Sequence, residues 1–165
     1  MTKLTALDIR VYDYVQAYSK EAKRFSMPMY VDSIFGEETV YLTFNGNEAD
    51  PWEENTEDLY ALDIDEKTLR QFGFEKYGES YVLDKEWYRI IVKMPDCGPI
   101  QVTIFNRTSF NDFERSTGCK YIHDIQHFFY DKMKKALRLE WGVDALSSRE
   151  NERREVSDDE GIERK

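Results

Sequence analysis

One segment constrains the fold more than any other. Between Lys120 and Trp141, the residues Ile122, Ile125, Phe129, Met133, Ala136 and Leu137 step by 3, 4, 4, 3 and 1. That spacing lays an apolar stripe along one face of a helix, and it predicts a helix over Lys120–Trp141 with Gly142 as its stop. A stripe of that width has to be covered, and a sheet is the surface that fits it.

The remaining chain supplies strands. Asp8–Tyr18 alternates with Ile9 and Val11 on one face, although a short helix over Tyr14–Ala22 competes with that reading. Met29–Phe35 and Thr39–Phe44 are β-branched and aromatic runs stopped by Gly36 and by Asn45-Gly46-Asn47, with Glu37-Glu38 in the turn between them. Leu59–Leu62 is a short fourth run. Asp65 then reads as a helix cap, followed by Leu69 and Phe72 on one face and Gly73 as the terminator. Ser80–Leu83, Trp87–Met94 and Ile100–Asn106 follow as strands. Tyr88, Ile90 and Val92 share one face of the middle one. Arg107–Gly118 reads as a polar loop that pins Phe110 and Phe113 into the core. The expected class is α+β: a small antiparallel meander or SH3-like half-barrel, a short helix, antiparallel hairpins, and the long amphipathic helix packed on the sheet.

Composition narrows the function classes. The 165 residues carry 23 Lys+Arg against 33 Asp+Glu, a net charge of −10, which opposes non-specific nucleic-acid binding. Hydrophobic residues at 41% and aromatics at 15% are enough to build a core. The last 19 residues, Ser147–Lys165, hold 12 charged side chains and read as a disordered tail behind one domain over 1–146. No apolar run is long enough to span a membrane, and the N-terminal residues do not resemble a signal peptide. Cys97 and Cys119 are expected as free thiols in a cytoplasm.

Two groups of residues invite a chemical reading. His123 and His127 lie one turn apart, with Cys119 before them and Asp131 after, a donor set that zinc accepts. Against it, both histidines fall roughly 100° and 140° round the wheel from Ile122, which predicts exposure, and the residue after His123 is Asp124, so no H-E-x-x-H motif is present. No nucleophile elbow, phosphate loop or dinucleotide fingerprint occurs, and no catalytic residue, metal or other cofactor is expected. The second group is acidic. Residues 25–66 contain 12 acids and no Lys or Arg. Their densest part, Glu48, Asp50, Glu53, Glu54, Glu57 and Asp58 around Trp52, reads as an exposed loop that meets a basic partner, with Trp52 as an anchor. The structural alternative is a solvated loop with Trp52 tucked into the barrel mouth.

Three stretches resemble a family. Leu69, Phe72, Gly73 and Phe74, then Tyr81-Val82-Leu83-Asp84, then Lys120, Tyr121, His123 and Gln126 are similar to the F-G-F and K-Y-[VI]-H-x-[LI]-Q motifs of a group of short proteins from bacterial genomes, phages and conjugative elements. The likeness spans roughly residues 8–137. It departs from the pattern at Tyr12-Asp13, where the group usually has Gly-Asn. The resemblance implies a mobile-element context and no particular activity. By analogy with small acidic inhibitors of that origin, the expected function is a non-enzymatic, anti-CRISPR-type protein that binds a basic, nucleic-acid-handling host nuclease. The rival readings are a metal-dependent hydrolase centred on His123 and His127, and an assembly accessory.

Overall fold

The computed structural model describes residues 2–44 and 49–142. It is α+β, with two antiparallel sheets, the first curled into a half-barrel. The first sheet runs β2 (Arg24–Phe25), β1 (Tyr14–Ser19), β3 (Met29–Phe35), β4 (Thr39–Thr43), β5 (Trp52–Asn55), with β6 (Leu59–Ala61) on the other edge of β1. Val15 pairs with Met29 on one side and Ala61 on the other, so β1 is an interior strand. The second sheet is a meander in the order β11 (Phe113–Ser116), β10 (Gln101–Asn106), β9 (Tyr88–Lys93), β8 (Ser80–Asp84), β7 (Glu75–Tyr77).

Between the sheets in sequence lies α1 (Glu66–Gln71). The Asp65 carboxylate accepts the Thr68 N–H at 2.8 Å, the expected cap. Gly73 follows at φ 91°, a conformation that only glycine adopts without strain. Tyr88, Ile90 and Val92 are buried on one face of β9, as their alternation requires.

The closing helix α2 is shorter than its stripe predicts. It spans Ile122–Met133 and ends at Lys134 in the left-handed region (φ 59°, ψ 25°), whose N–H returns to the Tyr130 carbonyl. Beyond it, Leu137 and Leu139 are buried while Arg138 and Glu140 are exposed. That alternation belongs to extended chain, and Leu-Arg-Leu-Glu-Trp carries it in the sequence. Gly142 does not cap α2; its N–H donates to the Gln71 carbonyl at 2.9 Å.

Two apolar cores result. One fills the curl of the first sheet with Val15, Ala17, Met29, Val31, Val40, Leu42, Leu59 and Ala61. The other gathers Ile122, Ile125 and Phe129 of α2, the inner faces of β8–β10, Leu69 and Phe72. Tyr14 and Tyr30, on the outer face of the first sheet, complete this second core and so fasten the two layers. Phe110 and Phe113 do not join it: Phe110 is 96% exposed, and Phe113 forms part of β11 rather than a loop. Edge pairing with β10 decides this, a contact that local polarity does not announce. Among the described residues no helix is long and apolar enough to cross a membrane. The charged segment from Ser147 to Lys165 lies outside the described residues.

Candidate functional site

The acidic segment is not the loop expected from its composition. Trp52, Glu53 and Glu54 form β5, paired antiparallel with β4 and standing at the free edge of the first sheet. Strand geometry then sends neighbouring side chains to opposite faces. Trp52 and Glu54 lie opposite Leu42 and Val40, at the lip of the curled core. Trp52 is 49% exposed and sits edge-on to Phe44, 5.6 Å between ring centres, so it rims the barrel mouth without being enclosed. Glu53 lies opposite Tyr41, on the other face.

Glu57 and Asp58 follow in a 3-10 turn (Thr56–Asp58), where the Asn55 side chain accepts the Glu57 N–H at 2.9 Å. Glu54 is half-buried; burial first, and the Asp58 carboxylate second, push its carboxyl up. Asp58 approaches Lys20 at 3.8 Å. Asp50, Glu53 and Glu57 are exposed, with no ion pair to a base among the described residues. Glu48 lies outside the described residues. The structure thus brings Glu54 and Asp58 together and turns Glu53 away from them.

The histidines are placed differently from the helical-wheel expectation. His123 is 5% exposed rather than solvated, stacked on Tyr121 at 5.7 Å, and its Nδ1 has no hydrogen-bond partner. Desolvation holds its pKa below the usual imidazole value, against the opposing pull of Asp124 and Asp13. His127 pairs through Nε2 with Asp13 Oδ2 at 2.5 Å, and the same oxygen accepts the Arg10 N–H at 2.8 Å. Cys119 is buried, its thiol raised to about 11 chiefly by desolvation, and Cys97 is exposed; both are free. Among the described residues no three His, Cys, Asp or Glu side chains converge as a metal-ligand set.

The physical reason is that α2 is covered on two faces. Ile122, Ile125 and Phe129 face apolar neighbours, and the adjacent stripe of His123, Gln126 and His127 faces the chain entering β1. Gln126 ties that second contact together. Its Oε1 accepts the Tyr14 N–H at 2.8 Å, and its Nε2 donates to the carbonyls of Tyr12 at 2.7 Å and Leu137 at 3.2 Å. Tyr121 and Gln126 therefore both serve the join between α2 and the first sheet, with His123 stacked on Tyr121 behind them. Asp124 completes its start, accepting the N–H groups of Lys120 and Tyr121 at 2.9 and 3.0 Å. A buried Asp13 and a buried Gln126 were not foreseen. The signal available was the polar pair Gln126-His127 interrupting an otherwise aromatic turn.

Comparison with known proteins returned no match among family models, curated proteins or solved structures.

Proposed function

We propose that this is a non-enzymatic binding protein of phage or mobile-element origin. Its acidic sheet edge docks on a basic, nucleic-acid-handling host defence protein, and a nuclease effector of the RNA-guided kind has the positively charged channel that such an edge fits. One observation carries the reading: several carboxylates without a base partner among the described residues cluster on one sheet edge beside a half-exposed aromatic ring. On other surfaces some carboxylates meet bases. Asp84 holds Arg89 and Arg107, Asp112 and Glu114 hold Lys132, and Asp131 holds Arg10. On the β5 edge and its flanking turn, Asp50, Glu53, Glu54 and Glu57 have no such partner among the described residues, and the Trp52 ring stands half-exposed beside them.

A cluster of exposed like charges steers encounter with an opposite surface and responds steeply to salt. The test compares the protein with a variant in which Glu48, Asp50, Glu53, Glu54, Glu57 and Asp58 are changed to their amides, using a purified RNA-guided nuclease as probe. The expected result is association that slows about tenfold or more in the variant, with a flatter salt dependence. Heparin should displace the unmodified protein. Unchanged association rate and salt slope would defeat the acidic-edge mechanism.

A further inference from the structure

A cleft of about 520 Å3 opens between the chain entering β1, the exposed side of α2 and the segment after it. Three of the large apolar side chains that the molecule leaves exposed, Val11 at 45%, Tyr12 at 36% and Tyr130 at 48%, line this one cleft. Its volume falls within the range of small-molecule sites, roughly 300–1,000 Å3. Its polar wall is the Asp13–His127 pair. Asp13 is 2% exposed and, as a carboxylate, only accepts hydrogen bonds, so the His127 nitrogen facing it carries the proton. The other ring nitrogen, Nδ1, has no hydrogen-bond partner among the described residues. At the rim Arg10 and Asp131 lie 3.5 Å apart and cancel each other, leaving no net charge to select an ion.

The wall is also held in place. Tyr12 sits at φ 76°, a strained conformation for a residue with a side chain. Its N–H donates to the Val31 carbonyl at 2.7 Å, its carbonyl accepts from Gln126, and the Arg138 guanidinium lies 4.8 Å above its ring. Backbone strain secured by so many contacts marks a preformed site.

We propose that this cleft binds a small neutral molecule that joins an apolar ring to one hydroxyl. The ring lies among Val11, Tyr12 and Tyr130, and the hydroxyl, which can donate or accept, hydrogen-bonds with His127 Nδ1. The site is separate from the acidic edge, and its test does not depend on that reading.

The probes are p-cresol, toluene and benzoate, titrated into the full chain, with imidazole nitrogen and amide NMR as readout. Expected are p-cresol shifts at His127 Nδ1 and at the Val11–Tyr12 amides, with binding at least several-fold tighter than toluene. Tyr130→Ser, at an exposed position, should weaken p-cresol several-fold while leaving the remaining spectrum in place. His127→Phe should abolish the preference for p-cresol over toluene if it folds; the Tyr130 variant decides the matter if it does not. Equal binding of toluene, tighter binding of benzoate, no shift of cleft resonances, or indifference to Tyr130→Ser would each overturn the assignment.

Discussion

Gln126 is 3% exposed and commits its whole side-chain amide to backbone groups of two other segments. Replacing it with Leu keeps roughly the volume and strands the Tyr14 N–H and the Tyr12 carbonyl without partners. Each buried orphan costs about 1–3 kcal/mol, so Gln126→Leu should lose about 2–4 kcal/mol in equilibrium denaturation. An unchanged midpoint would mean that water reaches both groups. His123 makes a second residue-scale prediction, in pH. Its folded pKa lies below the ordinary histidine value because burial opposes the charged form. The unfolded chain therefore binds the proton more readily. The stability that neutral His123 permits is complete above the unfolded value of about 6.5 and is lost as pH falls through it. In His123→Phe, melting temperature should fall less steeply from about pH 7 to pH 5 than in the parent. Parallel curves would remove His123 as the source. Tyr12 shows the residue scale from the other side. This chain holds a tyrosine with a Cβ at φ 76°, with Tyr30 6.3 Å from its ring.

Elements end where neighbours make them end. The apolar stripe of α2 continues to Leu137 in sequence, yet the helix stops at Lys134, and the chain turns to lay Leu137 and Leu139 into the second core. Lys134 adopts the left-handed conformation to make that turn, at a cost of about 1–2 kcal/mol for a residue with a Cβ. Lys134→Gly should recover about 0.5–1 kcal/mol after glycine's own entropy loss, and Lys134→Ala should recover none; thermal denaturation of the two variants separates these outcomes. At β5 the deciding contact is pairing with β4. Composition describes this segment as a polar loop, because an acidic strand has poor intrinsic propensity. Acids also suit a free edge, since charge there opposes pairing with a second chain. Glu54, held partly out of water beside Asp58, gains little by being charged. The amide variant should therefore keep its fold, with each exposed site changing stability by at most a few tenths of a kcal/mol.

At the scale of the whole molecule, Tyr14 and Tyr30 fasten the two sheets together, and such packing predicts one cooperative unit. They belong to strands that line the first core and project into the second, where Tyr14 meets Phe72 at 4.8 Å. Phe129, fully buried, meets Trp87 and Tyr88 in the same core. Phe129→Ala should cost about 3–5 kcal/mol, and the variant should still unfold in one transition by tryptophan fluorescence and far-ultraviolet circular dichroism alike. A first sheet that survives with its Trp52 signal intact would show two independent units. Much of this architecture was legible in the chain. β3 begins and ends at the predicted residues, Asp65 caps α1, β9 buries Tyr88, Ile90 and Val92, and the α+β class follows from element order. These features rest on periodicity, caps and turns, which act over a few neighbouring residues. The early end of α2, the β5 pairing, the burial of His123 and the Asp13–His127 contact rest on groups far apart in sequence. Asp13 and His127 are 114 residues apart, and neither side chain carries a local sign of the other. The sequence by itself determined those strands and helices whose residues carry their own periodicity, caps or turns, and the apolar stripe of each. Only tertiary packing decided which polar groups met in the interior, because a buried polar contact is stable only when the distant partner that satisfies it arrives.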